Sequence, residues 1–144
     1  MAKTLFPFLD TPLAARMWQV LIAILAGACG TIILVYFLSG LFTTDTMASL
    51  LDWIIGFNTA LTGYMLMEKS GGRIPFWQWL CAGAGLINSV ASAMAVNHIY
   101  VLTMGFPLVG MADAGILLTI GAVCGASGGL LAKKYLEMKH KSSR

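Results

Sequence analysis

Residues 18–42 read WQVLIAILAGACGTIILVYFLSGLF, a run without a single charge, and that run decides the fold class. It outlasts the ~20 residues with which an α-helix crosses the hydrocarbon core of a bilayer. Three more long apolar stretches follow at 47–67, 76–102 and 107–132, joined by short connections. The pattern predicts one domain over residues 1–144, an all-α integral membrane protein. Four transmembrane helices would form an antiparallel bundle, followed by a basic tail at 133–144.

Charge sets the expected orientation. The chain holds nine Lys and Arg residues. Lys3 and Arg16 precede the first span, Lys69 and Arg73 lie in the second connection, and Lys133, Lys134, Lys139, Lys141 and Arg144 follow the last. The first and third connections contain neither residue type. By the positive-inside rule both termini and the second connection are cytoplasmic, which makes a bacterial inner membrane the expected location.

Composition excludes other classes. Hydrophobic residues make up 58% of the chain and charged residues 10%, against about a quarter charged in soluble domains. The net charge of +3 is split among helix ends, with no groove and no aromatic-basic interleave, so nucleic acid is not an expected partner. The expected partners are the lipid bilayer, other membrane subunits and further copies of the chain. No extramembrane catalytic domain is expected.

Three features with chemical potential read blandly. Leu25-Ala26-Gly27-Ala28-Cys29 resembles a lipoprotein cleavage site, but Ala26 stands where a large aliphatic residue is wanted and apolar sequence continues to Phe42, so an uncleaved span is expected. Cys29, Cys81 and Cys124 form no CxxC motif and read as small packing residues. His98 and His140 fall on opposite sides of the membrane and cannot share a haem or metal within one chain. No cofactor and no metal are predicted.

The span boundaries are punctuated. Asp10-Thr11-Pro12 reads as a helix start, and the apolar segment 5–9 before it suits an interface or a partner. Thr43-Thr44-Asp45 opens span two, Ser70-Gly71-Gly72 closes it, Pro75 opens span three and Gly105-Phe106-Pro107 opens span four. Trp18, Trp77 and Trp79 sit at the expected cytoplasmic interface, with Trp53 and Tyr100 toward the other.

Within the spans, small and polar residues recur at alternating steps of four and three, the spacing of a seam in a left-handed bundle. Ala23, Gly27 and Gly30 mark span one; Asp52, Gly56, Thr59 and Gly63 mark span two. Span three carries Cys81, Gly85, Asn88, Ser92 and Ala95, and span four Gly110, Ala114, Gly121, Cys124 and Gly128. Gly121, Gly125 and Gly129 form a second row on span four. One row is expected to pack within the bundle while the other meets a neighbouring subunit.

Asp113, Asp52 and His98 are the candidate ion or proton site. Counted from Pro107 and Met47, both carboxylates lie roughly 7–9 Å inside the outer helix ends. At about 100° per residue, Asp113 is ~20° from Cys124 and ~60° from Gly110 and Gly128, which turns it toward the small seam. A carboxylate in hydrocarbon is costly by ~2.5–3.5 kcal/mol on the mildest scale, so pairing, protonation or hydration is expected there. Snorkelling to the interface near a helix N-terminus accounts for the same residues without a function. The midplane groups Asn58, Asn88, Ser92 and Thr59 read as interhelical glue, and less readily as a permeation lining.

These readings favour a small polytopic accessory, scaffold or assembly subunit of a larger membrane complex or homo-oligomer, and not an enzyme. A small proton or cation channel or carrier using the membrane-level carboxylates is the alternative. A cofactor- or quinone-contacting subunit of a membrane enzyme comes third.

Overall fold

The structure, a computed structural model, describes residues 12–72 and 74–142, apart from the side chains of 12–14. The segment 5–9, the Asp10-Thr11 helix start, Lys3, Arg73 and Arg144 lie outside the described residues. The described residues form four helices: α1 (Pro12–Ser39), α2 (Thr44–Lys69), α3 (Trp77–Met104) and α4 (Ala114–Ser142). Helices α1, α3 and α4 are long and apolar enough to cross a membrane. Helix α2 is shorter and less clearly apolar, because Asp45, Asp52, Asn58, Thr59, Thr62, Glu68 and Lys69 all lie on it.

Glycine and threonine chemistry ends the helices where the composition shifts. Thr43, in extended geometry, caps α2, and its hydroxyl lies 3.0 Å from that of Thr46. Gly71 and Gly72 both take positive φ, +63° and +75°, and their N–H groups donate to the carbonyls of Glu68 and Met67, closing α2 in a left-handed turn that favours glycine. Gly105, at φ +82°, ends α3 by donating to Val101.

Span four departs from expectation at both ends. It begins at Ala114 and not at Pro107, and it runs on as helix through the basic tail to Ser142. The cause of the late start is Asn97 of α3. Its Nδ2 donates to the carbonyl of Val109 at 3.0 Å, and the Val109 N–H donates to its Oδ1 at 2.8 Å. The Val109 carbonyl, which a helix starting at Pro107 would offer to the Asp113 N–H, is thereby taken by a side chain, and that N–H donates to Gly110 instead.

Contacts fix the helix directions. Thr62 meets Ala23 and Asn58 meets Gly30, Cys81 meets Gly63, and Ser89 meets Leu117 while Cys81 meets Gly129, so each helix runs antiparallel to the next. Helices α2 and α3 each touch the three others, whereas α1 and α4 do not touch among the described residues. The cross-section is a diamond with α2 and α3 on its short diagonal. One end carries Arg16, Lys69 and the basic turns of α4; the other carries Asp45, Asp52 and Asp113.

The interior is layered. Val35, Met47, Leu51, Ile55, Val96, Tyr100 and Leu117 form an apolar cluster toward the acidic end. Ala23, Ile24, Leu66, Cys81 and Ala84 form another toward the basic end. Tyr100 is therefore buried in the first cluster, where an interfacial ring was expected. The tryptophans Trp18, Trp53 and Trp79 are exposed, and Trp77 lies under Lys133, whose Nζ is 5.3 Å from the ring centre.

Helix α4 wedges its glycines between α2 and α3. A Cβ on Gly129 would stand 2.7 Å from Cys81 Sγ, one on Gly121 2.5 Å from Ser89 Cβ, and one on Gly128 2.9 Å from Ala60 Cα. The row Gly121, Gly125, Gly129 meets α3, and Gly128 meets α2. The row Gly121, Gly125, Gly129 is thus used inside the bundle, as is Gly128 of the other row, whose Gly110 and Ala114 are exposed. Two helices converging on α4 from different sides require two small rows. Gly56, Gly63 and Gly85 make the reciprocal contacts on α2 and α3, and Gly27 and Gly30 bring α1 against Thr62, Asn88 and Asn58. Ile120 lies half-buried beside Gly56.

Candidate functional site

The Asn97 clasp positions the candidate site. By holding Val109, it lays the connection between α3 and α4 across the acidic end, where Leu108 and Val109 pack on the apolar cluster. The chain then reaches Asp113 immediately before α4. Its carbonyl accepts from Leu117 N–H at 3.0 Å, which makes Asp113 the capping residue of that helix. This corrects its expected depth: Asp113 is an exposed helix-start residue and does not sit within a span. A carboxylate there meets the positive end of the α4 dipole.

Asp52 lies two turns into α2, half-buried, beside the fully inward Leu51. Asp52 and Asp113 line one cleft of about 190 Å³ with Ala48, Ser49, Leu108, Val109 and Leu117. Neither carboxylate is hydrogen-bonded or ion-paired through its side chain among the described residues. Asp52 also borders a wider groove of about 590 Å³ between α2 and α4, walled by Trp53, Phe57, Ile120 and Cys124 with Gly56 at its floor.

His98 does not join them. It stands on the exposed face of α3 and lines neither the cleft nor the groove. On α3 the inward positions Asn88 and Ser92 bond to Thr62 of α2 and Thr31 of α1, whereas His98 is exposed. The structure thus brings two of the three candidate residues together and leaves the third apart.

Between the two apolar clusters lies a belt of buried polar side chains: Thr31, Asn58, Thr59, Thr62, Asn88, Ser89 and Ser92, none more than 4% exposed. Asn88 Nδ2 donates to Thr62 Oγ1 at 2.9 Å, and Ser92 Oγ lies 3.2 Å from Asn88 Oδ1 and 3.3 Å from Thr31 Oγ1. The Thr62 hydroxyl in turn reaches the carbonyls of Asn58 at 2.9 Å and Ala23 at 3.3 Å. Asn58 Nδ2 turns back to the Ile54 carbonyl, and Ser89 Oγ donates to that of Leu117 at 2.7 Å. Among the described residues every buried side-chain nitrogen and oxygen has a partner.

Cys29 is exposed, Cys81 buried and Cys124 half-buried, all as free thiols, and Cys81 Sγ points at the Gly63 carbonyl. No group of three or more His, Cys, Asp or Glu side chains comes together among the described residues. Asn97 was invisible to the sequence reading, since a lone asparagine late in an apolar helix carries no motif.

No protein-family model, curated protein or solved structure matches this chain.

Proposed function

We propose that the chain is a small four-span scaffold or assembly subunit of a membrane complex, seated in a bacterial inner membrane with both termini in the cytoplasm. The observation that carries this reading is the closed polar belt. Its groups satisfy one another across α1, α2 and α3, leaving none directed at an ion, a quinone or a haem. Such a belt registers helices and holds a bundle in one arrangement. Helix α2 completes the fourth crossing because its mid-helix polar residues Asn58, Thr59 and Thr62 turn toward neighbouring helices, which cover them from lipid.

A second reading, a proton or cation carrier, draws support from the Asp52 and Asp113 cleft. The two separate in proteoliposomes and by gentle-detergent native mass spectrometry. For a scaffold, wild-type vesicles pass no more protons or alkali cations than empty ones, and the chain carries other membrane proteins or copies of itself. Asp113→Asn then leaves stability within about 0.5 kcal/mol, because asparagine caps a helix as well as aspartate does. For a carrier, Asp113→Asn and Asp52→Asn lower a measurable wild-type flux while assembly persists. Flux that responds in this way defeats the scaffold reading.

Orientation has its own test. In a background without native cysteines, Thr44→Cys and Met111→Cys, the latter at a residue 97% exposed, are expected to react with an impermeant maleimide from outside the cell. Ser70→Cys and Ser142→Cys react only after permeabilisation. The opposite pattern would reverse the assigned topology.

A further inference from the structure

At the basic end, α1, α2 and the connection from α2 to α3 enclose a cleft of about 290 Å³. Arg16 reaches it from α1 and Lys69 from α2, with Gln19 and Ser70 beside them and Val20, Leu66 and Leu80 as an apolar floor. We propose that this cleft binds the phosphate group of an anionic lipid. Two cations on different helices converge there, and no carboxylate lines the cleft to neutralise them. Neither Arg16 nor Lys69 is ion-paired among the described residues, whereas Lys133 across the bundle already sits over Trp77. Arginine supplies a planar fork that matches two phosphate oxygens, and lysine adds a point charge.

The floor selects the source of the phosphate. Free phosphate would meet the cations and gain nothing from Val20, Leu66 or Leu80. A lipid sets its phosphate between Arg16 and Lys69 and its glycerol and first acyl carbons on the apolar surface of Val20, Leu66 and Leu80. The cleft stands where the apolar stretches end, at the depth of a headgroup. Its two walls are held together below by the contact between Thr62 of α2 and the Ala23 carbonyl of α1.

The site rests on the membrane-embedded part of the proposed function and not on the subunit role. The test uses the full chain reconstituted in phosphatidylcholine vesicles with and without phosphatidylglycerol, then released for native mass spectrometry and thermal denaturation. Wild type is expected to retain phosphatidylglycerol adducts and to melt higher in its presence. Arg16→Gln with Lys69→Gln lowers retention about tenfold or more. Both positions are exposed, so folding is not at stake, and Arg16→Lys with Lys69→Arg restores most of the binding. Lys139→Gln with Lys141→Gln makes the same change of charge outside the cleft and leaves retention unchanged. Equal loss in that control, or none in the cleft variant, overturns the site. Stabilisation in detergent by inorganic phosphate to the same extent overturns lipid as the source. A chain that fails to enter phosphatidylcholine vesicles at all refutes membrane embedding instead, which separates the two failures.

Discussion

Gly125→Leu is expected to abolish the folded bundle. Gly125 lies where three backbones meet: its Cβ would stand 2.5 Å from the Cys81 carbonyl oxygen and 2.9 Å from Gly85 Cα, and Gly63 of α2 presses on it from the other side. None of these obstacles is a flexible side chain. Relief requires moving whole helices apart, so the loss exceeds the ~1–3 kcal/mol usual for an oversized core residue. Separation would also break the contact of Cys81 with Gly63 and that of Ser89 with Leu117. Gly83 of α3 provides the contrast, because nothing lies within 4 Å of a Cβ built there. Gly83→Ala should raise stability by about 0.5–1 kcal/mol through helix propensity alone. Thermal denaturation in mild detergent reads both. A Gly125→Leu protein that melts like wild type would mean that α4 does not sit between α2 and α3.

Asn88→Asp is expected to cost the protein ~3 kcal/mol or more, which distinguishes a closed belt from a hydrated path. Asn88 is fully buried and donates through Nδ2 to Thr62 while accepting from Ser92 at Oδ1. An aspartate of the same shape turns that donor into a second acceptor and places a charge at membrane depth, where even the mildest scale assigns ~2.5–3.5 kcal/mol. Asn88→Leu loses the hydrogen bonds without adding charge. The Thr62 hydroxyl keeps the Asn58 carbonyl and Ser92 keeps Thr31, so that variant should lose less. A double-mutant cycle with Thr62→Val should return a coupling of about 0.6–1.7 kcal/mol. If Asn88→Asp were tolerated as well as Asn88→Leu, water would have to reach the belt, and the carrier reading would gain what the scaffold reading lost.

Much of this architecture was legible before any coordinates. A helix announces itself locally, and the apolar runs together with Thr43, Gly71, Gly72 and Gly105 placed most helix ends within a few residues. The exception was the start of α4, where a residue twelve positions upstream competes for the backbone of Val109. Nothing in the sequence near Pro107 records that competition. The depth assigned to Asp113 failed for the same reason, since it was measured from a helix start that Asn97 had removed.

The candidate site was legible in pieces. That Asp52 and Asp113 belong to the same end followed from span order, and the cleft they share follows from α2 packing on α4. His98 was grouped with them by depth alone, and depth along a helix does not say which way a side chain faces. The buried Tyr100 and the inward second glycine row carry the same lesson.

The sequence by itself determined the all-helical class, the long apolar stretches, of which three form helices fit to cross a membrane, the small-residue rows that permit close packing, and the gathering of basic residues at one end. These depend on periodicity and composition along one helix at a time. Only the tertiary structure decided that α2 and α3 share the short diagonal, that Gly121, Gly125, Gly128 and Gly129 of α4 pack inside the bundle, that Asn88 links α2 to α1 through Thr62 and Ser92, and that Arg16 and Lys69 face one cleft. Each is a relation between helices distant in sequence, and which face meets which neighbour depends on how all four pack at once.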